Sequence, residues 1–308
     1  MHDRDESPGE PRTVLVTGAG GYIGRHVARA LLDRGASVIA VDRGSGAGRV
    51  DPRATHIQAD IFTETDRLLG ELPPVDVCLH LAWEAGFVHG DPLHMLRLSS
   101  HYAFLDAVLR RGVGHLAVLG TVHEIGYHEG AVDETTPTEP LSLYGVAKNS
   151  LRQALTIRTE KEPDAVLQWL RCYYVYGDDE NNNSIFTKIV RAARNGDRTF
   201  PFTTGQNQYD FITVEELARQ VAAAVLQTEE RGIINCCSGT PRTLREMVER
   251  FITERGLDIA LEYGVYPDRP YDSPAIWGDP TRIDRILGLA GGAPVGGVDV
   301  PTPRGVWR

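Results

Sequence analysis

Apolar residues in this chain recur with two periods, and the alternation between those periods sets the expected order of elements. Thr13-Val14-Leu15-Val16 is a short β-rich run, and beyond the glycines that follow it Val27, Ala28, Leu31 and Leu32 return at helical spacing. Ser37 to Val41, His56 to Ile61, Val75 to Ala82 and His115 to Thr121 read as the second to fifth strands. The fourth is almost uninterrupted in apolar character, as a strand covered on both faces should be. Between Asp91 and Arg111, Leu93, Leu96, Tyr102, Leu105, Val108 and Leu109 fall on or near one helical face. Further helices are expected from Ser142 to about residue 160, from about Val214 to Gln227, and from about Thr243 to Glu254. Strands alternating with helices predict an α/β fold with a parallel sheet wound on both sides. The remainder, with loop signals at Asn181 to Asn183 and from Gly291 to Pro303, is less regular.

The turn between the first strand and its helix is Thr17-Gly18-Ala19-Gly20-Gly21-Tyr22-Ile23-Gly24. Gly18, Gly21 and Gly24 let the backbone turn tightly, approach a pyrophosphate and pack helix on strand, and the helix N-terminus stabilises the phosphate charge. Tyr22 and Ile23 share that stretch. Asp42 ends the second strand, where a carboxylate accepts hydrogen bonds from the adenosine ribose and repels a 2′-phosphate, which favours NAD; Arg43 beside it suits NADP instead. Asp60 and Ile61 end the third strand as candidate adenine contacts, Leu81 and Ala82 end the fourth, and Thr121 ends the fifth. Ligands of open parallel sheets bind outside those carboxyl ends. Ser142 is a plausible N-cap, and with the helix starting there Tyr144 and Lys148, at i and i+4, share one face. A free phenol titrates near about 10 and is a poor proton carrier at neutral pH. A cation held beside it draws that value down, and Lys148 is placed to be that cation.

A chain of 308 residues accommodates one large α/β unit and a smaller lobe. Its net charge of −10 argues against nucleic acid or an anionic membrane as the main partner. Cys78, Cys172, Cys236 and Cys237 have neither disulfide-framework nor metal-ligand spacing and read as small buried hydrophobes, and no metal is expected. Residues 1–12 read as a polar, disordered leader, no apolar stretch is long enough to span a bilayer, and the expected location is the cytoplasm.

Taken together, the glycine turn, Asp42 and Asp60 at strand ends, Thr121 and Tyr144-x-x-x-Lys148 resemble the extended short-chain dehydrogenase/reductase family, in its nucleotide-sugar epimerase/dehydratase group. The resemblance continues through Leu170 to Gly177, Gly205 to Val214, Asn235 to Gly239, and Arg269 to Leu289. It implies a Rossmann-type doubly wound parallel sheet, formed by residues 13–177 and 209–237, with a mixed substrate-binding lobe from 178–208 and 238–308. It implies Tyr144 as catalytic acid/base, Thr121 as its hydroxyl partner and Lys148 as the residue holding the nicotinamide ribose. A homodimer paired through the helices at 93–111 and 144–160 follows from the same analogy. Three departures stand out: Tyr174 replaces an asparagine that contacts substrate phosphates, Tyr209 replaces an arginine that grips the pyrophosphate, and Glu124 stands where the epimerases carry small residues. Arg269 is retained.

The implied activity is reduction of a 4-keto group on a nucleotide-activated sugar, with a 4-epimerase holding NAD tightly as the alternative. A dehydratase ranks third, and a redox-inactive dinucleotide-binding regulator is the reading from another class. Thr121, His123, Glu124, Tyr174, Tyr209 and Arg269 are the candidate substrate contacts. His123 reads either as orienting a substrate hydroxyl or as a hydrogen-bonded loop histidine; Glu124 reads either as a second acid/base or as a solvated or salt-bridged carboxylate. His80 and Trp83 fall near the expected ribose, with packing explaining them equally well.

Overall fold

The structure is a computed structural model that describes residues 11–44, 47–177, 184–267 and 272–291. In chain order its elements are β1 (Thr13–Thr17), α1 (Tyr22–Asp33), β2 (Ser37–Asp42), β3 (Thr55–Gln58), α2 (Thr65–Glu71), β4 (Val77–His80), α3 (Leu93–Arg110), β5 (His115–Thr121) and β6 (Gly130–Val132). There follow α4 (Leu143–Thr159), β7 (Val166–Cys172), β8 (Tyr174–Tyr176), α5 (Ile185–Arg194), β9 (Thr199–Pro201), β10 (Gln208–Thr213) and α6 (Val214–Val225). The described chain closes with β11 (Gly232–Cys236), β12 (Pro241–Thr243), α7 (Leu244–Glu254), β13 (Ala260–Glu262), β14 (Ala275–Gly278) and α8 (Thr281–Leu289).

Among the described residues the main sheet has seven strands in the order β11-β7-β5-β4-β1-β2-β3, every pair parallel. The chain runs outward from β1 through β2 and β3, then returns to place β4 on the other side of β1. That reversal is the topological switch point, and it opens a crevice beyond the carboxyl ends of β1 and β4. Buried residues cover both faces, as the apolar strands require. Leu15, Cys78 and Leu116 face a core closed by α2, α3 and α4, with Phe104, Leu105 and Leu151 fully enclosed there. Val14, Val16 and Leu79 face a second core that takes in α1 and α6 and runs on without a break into the smaller lobe.

The smaller lobe holds a mixed sheet, β12-β10-β14-β6 with β8 also on β10, and the two-stranded β9–β13 pair. Here β10 runs antiparallel to β12 and parallel to β14 and β8. β6, β8 and β10 pair within this second sheet rather than with the main one. A single residue, Tyr173, separates β7 of the main sheet from β8 of the other. Asp210 on β10 ties the lobe together, its buried carboxylate accepting from Ser238 N, Ser238 Oγ, Gly239 N and Gly278 N at 2.7, 2.7, 2.9 and 3.1 Å. Among the described residues no helix is long and apolar enough to cross a membrane. The expected leader is described only at residues 11 and 12, and the loop signals at Asn181 to Asn183 and from 292 onward lie outside the described residues.

Candidate active site

The coenzyme end is built from backbone. α1 begins at Tyr22 with Gly21 as an N-cap that makes no side-chain cap, so its first amides are left for an anion. Gly18 has φ +71°, and a Cβ there would lie 2.8 Å from the Cα and N of Ala82, the residue just past β4. A Cβ on Gly24 would lie 2.1 Å from Gly18 O. The turn is therefore pared down to a cradle that side chains would fill, and it sits at the switch point, so the residues present fit a dinucleotide pyrophosphate.

A side recess of about 190 Å³ beside the turn is bounded by Asp42, Arg43, Asp60, Ile61 and Ala82. Asp42 Oδ1 accepts from Gly44 N at 2.6 Å, and Oδ2 lies 3.2 Å from His56 Nε2. Arg43 is turned to Glu84, with Nη1 2.7 Å from Oε1. A carboxylate facing the recess, with its neighbouring arginine paired elsewhere, suits ribose hydroxyls better than a 2′-phosphate. Asp60 caps its own loop, Oδ1 accepting from Phe62 N at 2.9 Å.

The reaction end lies beyond the carboxyl end of β5. Ser142 caps α4, its Oγ accepting from Gly145 N at 3.1 Å, and this cap sets the helical phase that brings Tyr144 and Lys148 to one face. The Thr121 hydroxyl neighbours the Tyr144 phenol and favours its ionised form. Thr121, Tyr144 and Lys148, the three predicted catalytic residues, all line one cavity of about 1700 Å³ that also reaches Gly18, Gly21, Tyr22, Ile23, Gly24, Leu81 and Ala82. That exceeds the roughly 300–1,000 Å³ of a typical small-ligand site and leaves room for two bound molecules.

The electrostatics differ from the expectation at one point. Burial pushes the Tyr144 phenol up, as do its neighbours Cys172 and Glu124, while the Thr121 hydroxyl acts the other way. The lowering expected from Lys148 is not what sets the phenol, because the ammonium is directed elsewhere: Nζ donates to Leu119 O at 2.7 Å and lies 3.8 Å from the centroid of the Trp83 ring. Burial brings Lys148 itself down to about 8, against the opposing effect of Cys172 and Glu124.

The substrate end is aromatic. His123 lies with its ring centroid 6.0 Å from Tyr144 and 6.0 Å from Tyr174, its imidazole held down to about 3 by burial and by His89. Tyr174 and Tyr209 stack at 4.2 Å with 23° between planes, and both line the cavity with Asp272 and Ser273. At the two positions where the resembled family carries asparagine and arginine, this chain thus presents a pair of phenol rings. Among the described lining residues, Arg49 and Lys148 are the basic ones besides histidine. Arg269 lies outside the described residues.

Glu124 requires a correction. It is fully buried beneath the cavity rather than facing a substrate. Oε1 accepts from Thr121 N at 2.7 Å, both oxygens accept from Trp169 Nε1 at 2.9 Å, and Arg171 Nε lies 3.6 Å from Oε2. With Thr121 Oγ1 accepting from His123 N at 3.3 Å, these bonds form a reciprocal cap on the short 3₁₀ turn from Val122 to Glu124.

Residues that pattern reasoning missed surround Tyr144. Its backbone N donates to His89 O at 3.0 Å, the His89 ring stacks on the phenol ring at 5.2 Å and 14°, and the His94 ring lies 5.1 Å away. The signal available was the run His80, His89, His94, His101 from the end of the fourth strand into the next helix, which holds four of the chain's ten histidines. His80 is a core residue, its Nδ1 2.8 Å from Thr17 Oγ1 and its Nε2 2.9 Å from His101 Nδ1. Among the described residues no group of three or more His, Cys, Asp or Glu is arranged to hold a metal.

A dinucleotide cradle at a switch point, with a hydroxyl, a phenol and an ammonium across the same cavity, defines a nicotinamide-coenzyme oxidoreductase. The chain belongs to the NAD dependent epimerase/dehydratase family, whose model matches residues 14–237. It is an enzyme family of NAD-dependent chemistry, in agreement with the coenzyme read from Asp42. Over 267 residues, 86% of this chain and 98% of the relative, it is 43% identical to a dTDP-6-deoxy-L-talose 4-dehydrogenase (NAD(+)) of Aggregatibacter actinomycetemcomitans. It is 27% identical over 317 residues to a probable UDP-arabinose 4-epimerase 3 of Oryza sativa subsp. japonica, covering 89% of this chain and 77% of the relative. Among solved structures, a Thermus thermophilus UDP-glucose 4-epimerase in complex with NAD superposes with a TM-score of 0.76 at 22% identity, covering 92% of this chain and 94% of that one.

Proposed function

We propose that this protein interconverts a 4-keto group and a 4-hydroxyl on a dTDP-linked 6-deoxyhexose, with reduction of the ketone as the favoured direction. The observation that carries the reading is that Thr121, Tyr144 and Lys148 line one cavity continuous with the glycine cradle. The relative that is 43% identical, a 4-dehydrogenase of a dTDP-6-deoxy sugar, supports the substrate class. NAD, when bound, supplies the hydride donor or acceptor.

The residues do the remainder. Tyr144, kept protonated by burial, donates its proton to the sugar oxygen as negative charge develops there. Thr121 hydrogen-bonds that oxygen and offsets the developing charge. Lys148 lends a positive charge to the floor of the site and holds the ribose. The Tyr174–Tyr209 stack and His123 flank the sugar and its nucleotide, with aromatic surface taking over from the arginine grip seen in the resembled family. Exposed Leu96 on α3 and Ile157 on α4 support a homodimer formed through those two helices. Four buried free thiols suit a reducing, cytoplasmic setting.

The test supplies dTDP-4-keto-6-deoxyhexoses and NADH. One NADH is expected to be oxidised per sugar reduced, and Tyr144→Phe is expected to lower kcat about 10²- to 10⁴-fold with the fold intact by circular dichroism. Interconversion of two nucleotide sugars with no net change in NADH would replace this reading with the 4-epimerase, which Asp42 and its preference for NAD also suit.

A further inference from the structure

Lys148 is buried in the cavity wall, and its ammonium rests between the Leu119 carbonyl and the face of Trp83. Trp83 lies just beyond β4 and is fixed from two directions. Its ring stacks on His101 at 4.2 Å with 14° between planes, and its Nε1 donates to His94 Nδ1 at 3.0 Å. His94 Nε2 lies 3.0 Å from Val88 O. A carbonyl only accepts, so Nε2 carries the ring proton and Nδ1 is left as the acceptor that the indole requires. His101 is in turn joined through His80 to Thr17 at the start of the coenzyme turn. The indole plane is thus set by one hydrogen bond and one ring stack, and the plane so fixed presents its π face to the ammonium.

The surroundings of Lys148 explain why an aromatic face matters. His80 and His101 are kept neutral, first by burial and then by neighbouring positive charge including that of Lys148. Tyr144 is a protonated phenol, and burial pushes the Cys172 thiol up to about 12. Among the described groups acting on Lys148, Glu124 is the anion, and its oxygens are already committed to Thr121 and Trp169. The electron-rich indole face is the strongest aromatic partner for a cation, and the attraction grows when water is excluded.

We propose that Trp83 is a positioning residue that keeps the Lys148 ammonium charged and in place within the site, through a cation–π contact in a position where no carboxylate is free to do so. The inference rests on the reading of Lys148 as the charged helper that lends positive charge to the site and holds the coenzyme ribose. Because Lys148 is already brought down to about 8 by burial, a modest weakening of this contact moves its loss of charge into the neutral range.

The probe is NAD itself, its affinity followed calorimetrically from about pH 6 to about pH 9, the span over which Lys148 loses its proton. The protein is prepared with tryptophan, mono-, di- and trifluorotryptophan, in the natural sequence and in Trp83→Phe. Fluorine drains negative charge from the ring face and leaves shape and packing nearly unchanged. In the natural sequence the alkaline loss of affinity is expected to move toward acid in steps, by about one pH unit across the series, equivalent to tenfold in the protonation equilibrium. In Trp83→Phe the series is expected to produce no movement, which removes the other tryptophans from account. An unmoved limb in the natural sequence, or an equal movement in Trp83→Phe, overturns the proposal. Lys148→Met separates this from the underlying reading: NAD affinity and turnover that survive that change would discard Lys148 as the helper, whereas loss of both beside a flat fluorine series discards Trp83 alone.

Discussion

Glu124 and His123 are adjacent, yet they face opposite sides of the site wall, and the reason is local geometry. After β5 the chain makes one 3₁₀ turn, which sends the residue two beyond Thr121 toward the cavity and returns the residue three beyond it under the strand end. Distance along the chain from Thr121 is legible in the residues; that direction is not. Glu124→Ala would leave the Trp169 indole N–H buried without its acceptor and the buried Arg171 guanidinium without its counter-ion. A loss of about 3–5 kcal/mol is expected, measurable as a lowered urea midpoint, since removing one partner of a buried ion pair strands the other. A loss below about 1 kcal/mol would mean that the carboxylate is solvated, as a surface residue would be. Tyr174 and Tyr209 are visible in the sequence as departures from a pattern, but only the pairing of β8 with β10 shows that the two departures form one stacked surface.

At the level of elements, long periodic segments were readable and short ones were not. The strand His115 to Thr121 and the helix capped by Ser142 have the predicted bounds at their starts, because an all-apolar run and a side-chain cap are local signals. Strands β6, β8, β9, β12 and β13 have three residues each, too few to display a period of two. They exist because tertiary pairing supports them. The glycine turn was legible for the opposite reason, since its spacing is dictated by backbone contacts. Gly24→Ala places a methyl carbon 2.1 Å from Gly18 O and must displace α1 from the turn. NAD binding is expected to weaken at least about tenfold by calorimetry, which is about 1.4 kcal/mol. Gly70→Ala, in α2 with open space around the position, is the control. It is expected to leave NAD binding unchanged and to stabilise the fold by up to about 1 kcal/mol, because alanine is the better helix former.

The whole molecule carries several imidazoles that take up a proton less readily folded than unfolded. Burial holds His80 and His123 at about 3 and His115 at about 4, with Lys148 and His89 adding to the effect on the first two and Gln168 opposing it at His115. Unfolded histidine titrates near about 6.5, so the folded values are depressed and the unfolded chain binds more protons below that pH. Stability attributable to these residues is therefore intact above about pH 6.5 and drains away as pH falls toward about 4. Each contributes a loss approaching about 1.4 kcal/mol per pH unit, and melting temperature is expected to drop steeply between about pH 6 and about pH 4.5. A melting temperature flat across that range would show that the imidazoles are open to water.

The crossing from β7 to β8 through Tyr173 alone has a consequence for anyone wishing to recombine this enzyme with its relatives. One residue joins the two sheets at the first crossing, and Thr213 both ends β10 and caps α6, so neither of these two crossings offers a linker at which a lobe could be cut and grafted. Changing cavity side chains such as Tyr174 and Tyr209 in place leaves both sheets intact. A chimera joined within residues 172–176 would inherit a misaligned strand in both sheets at once.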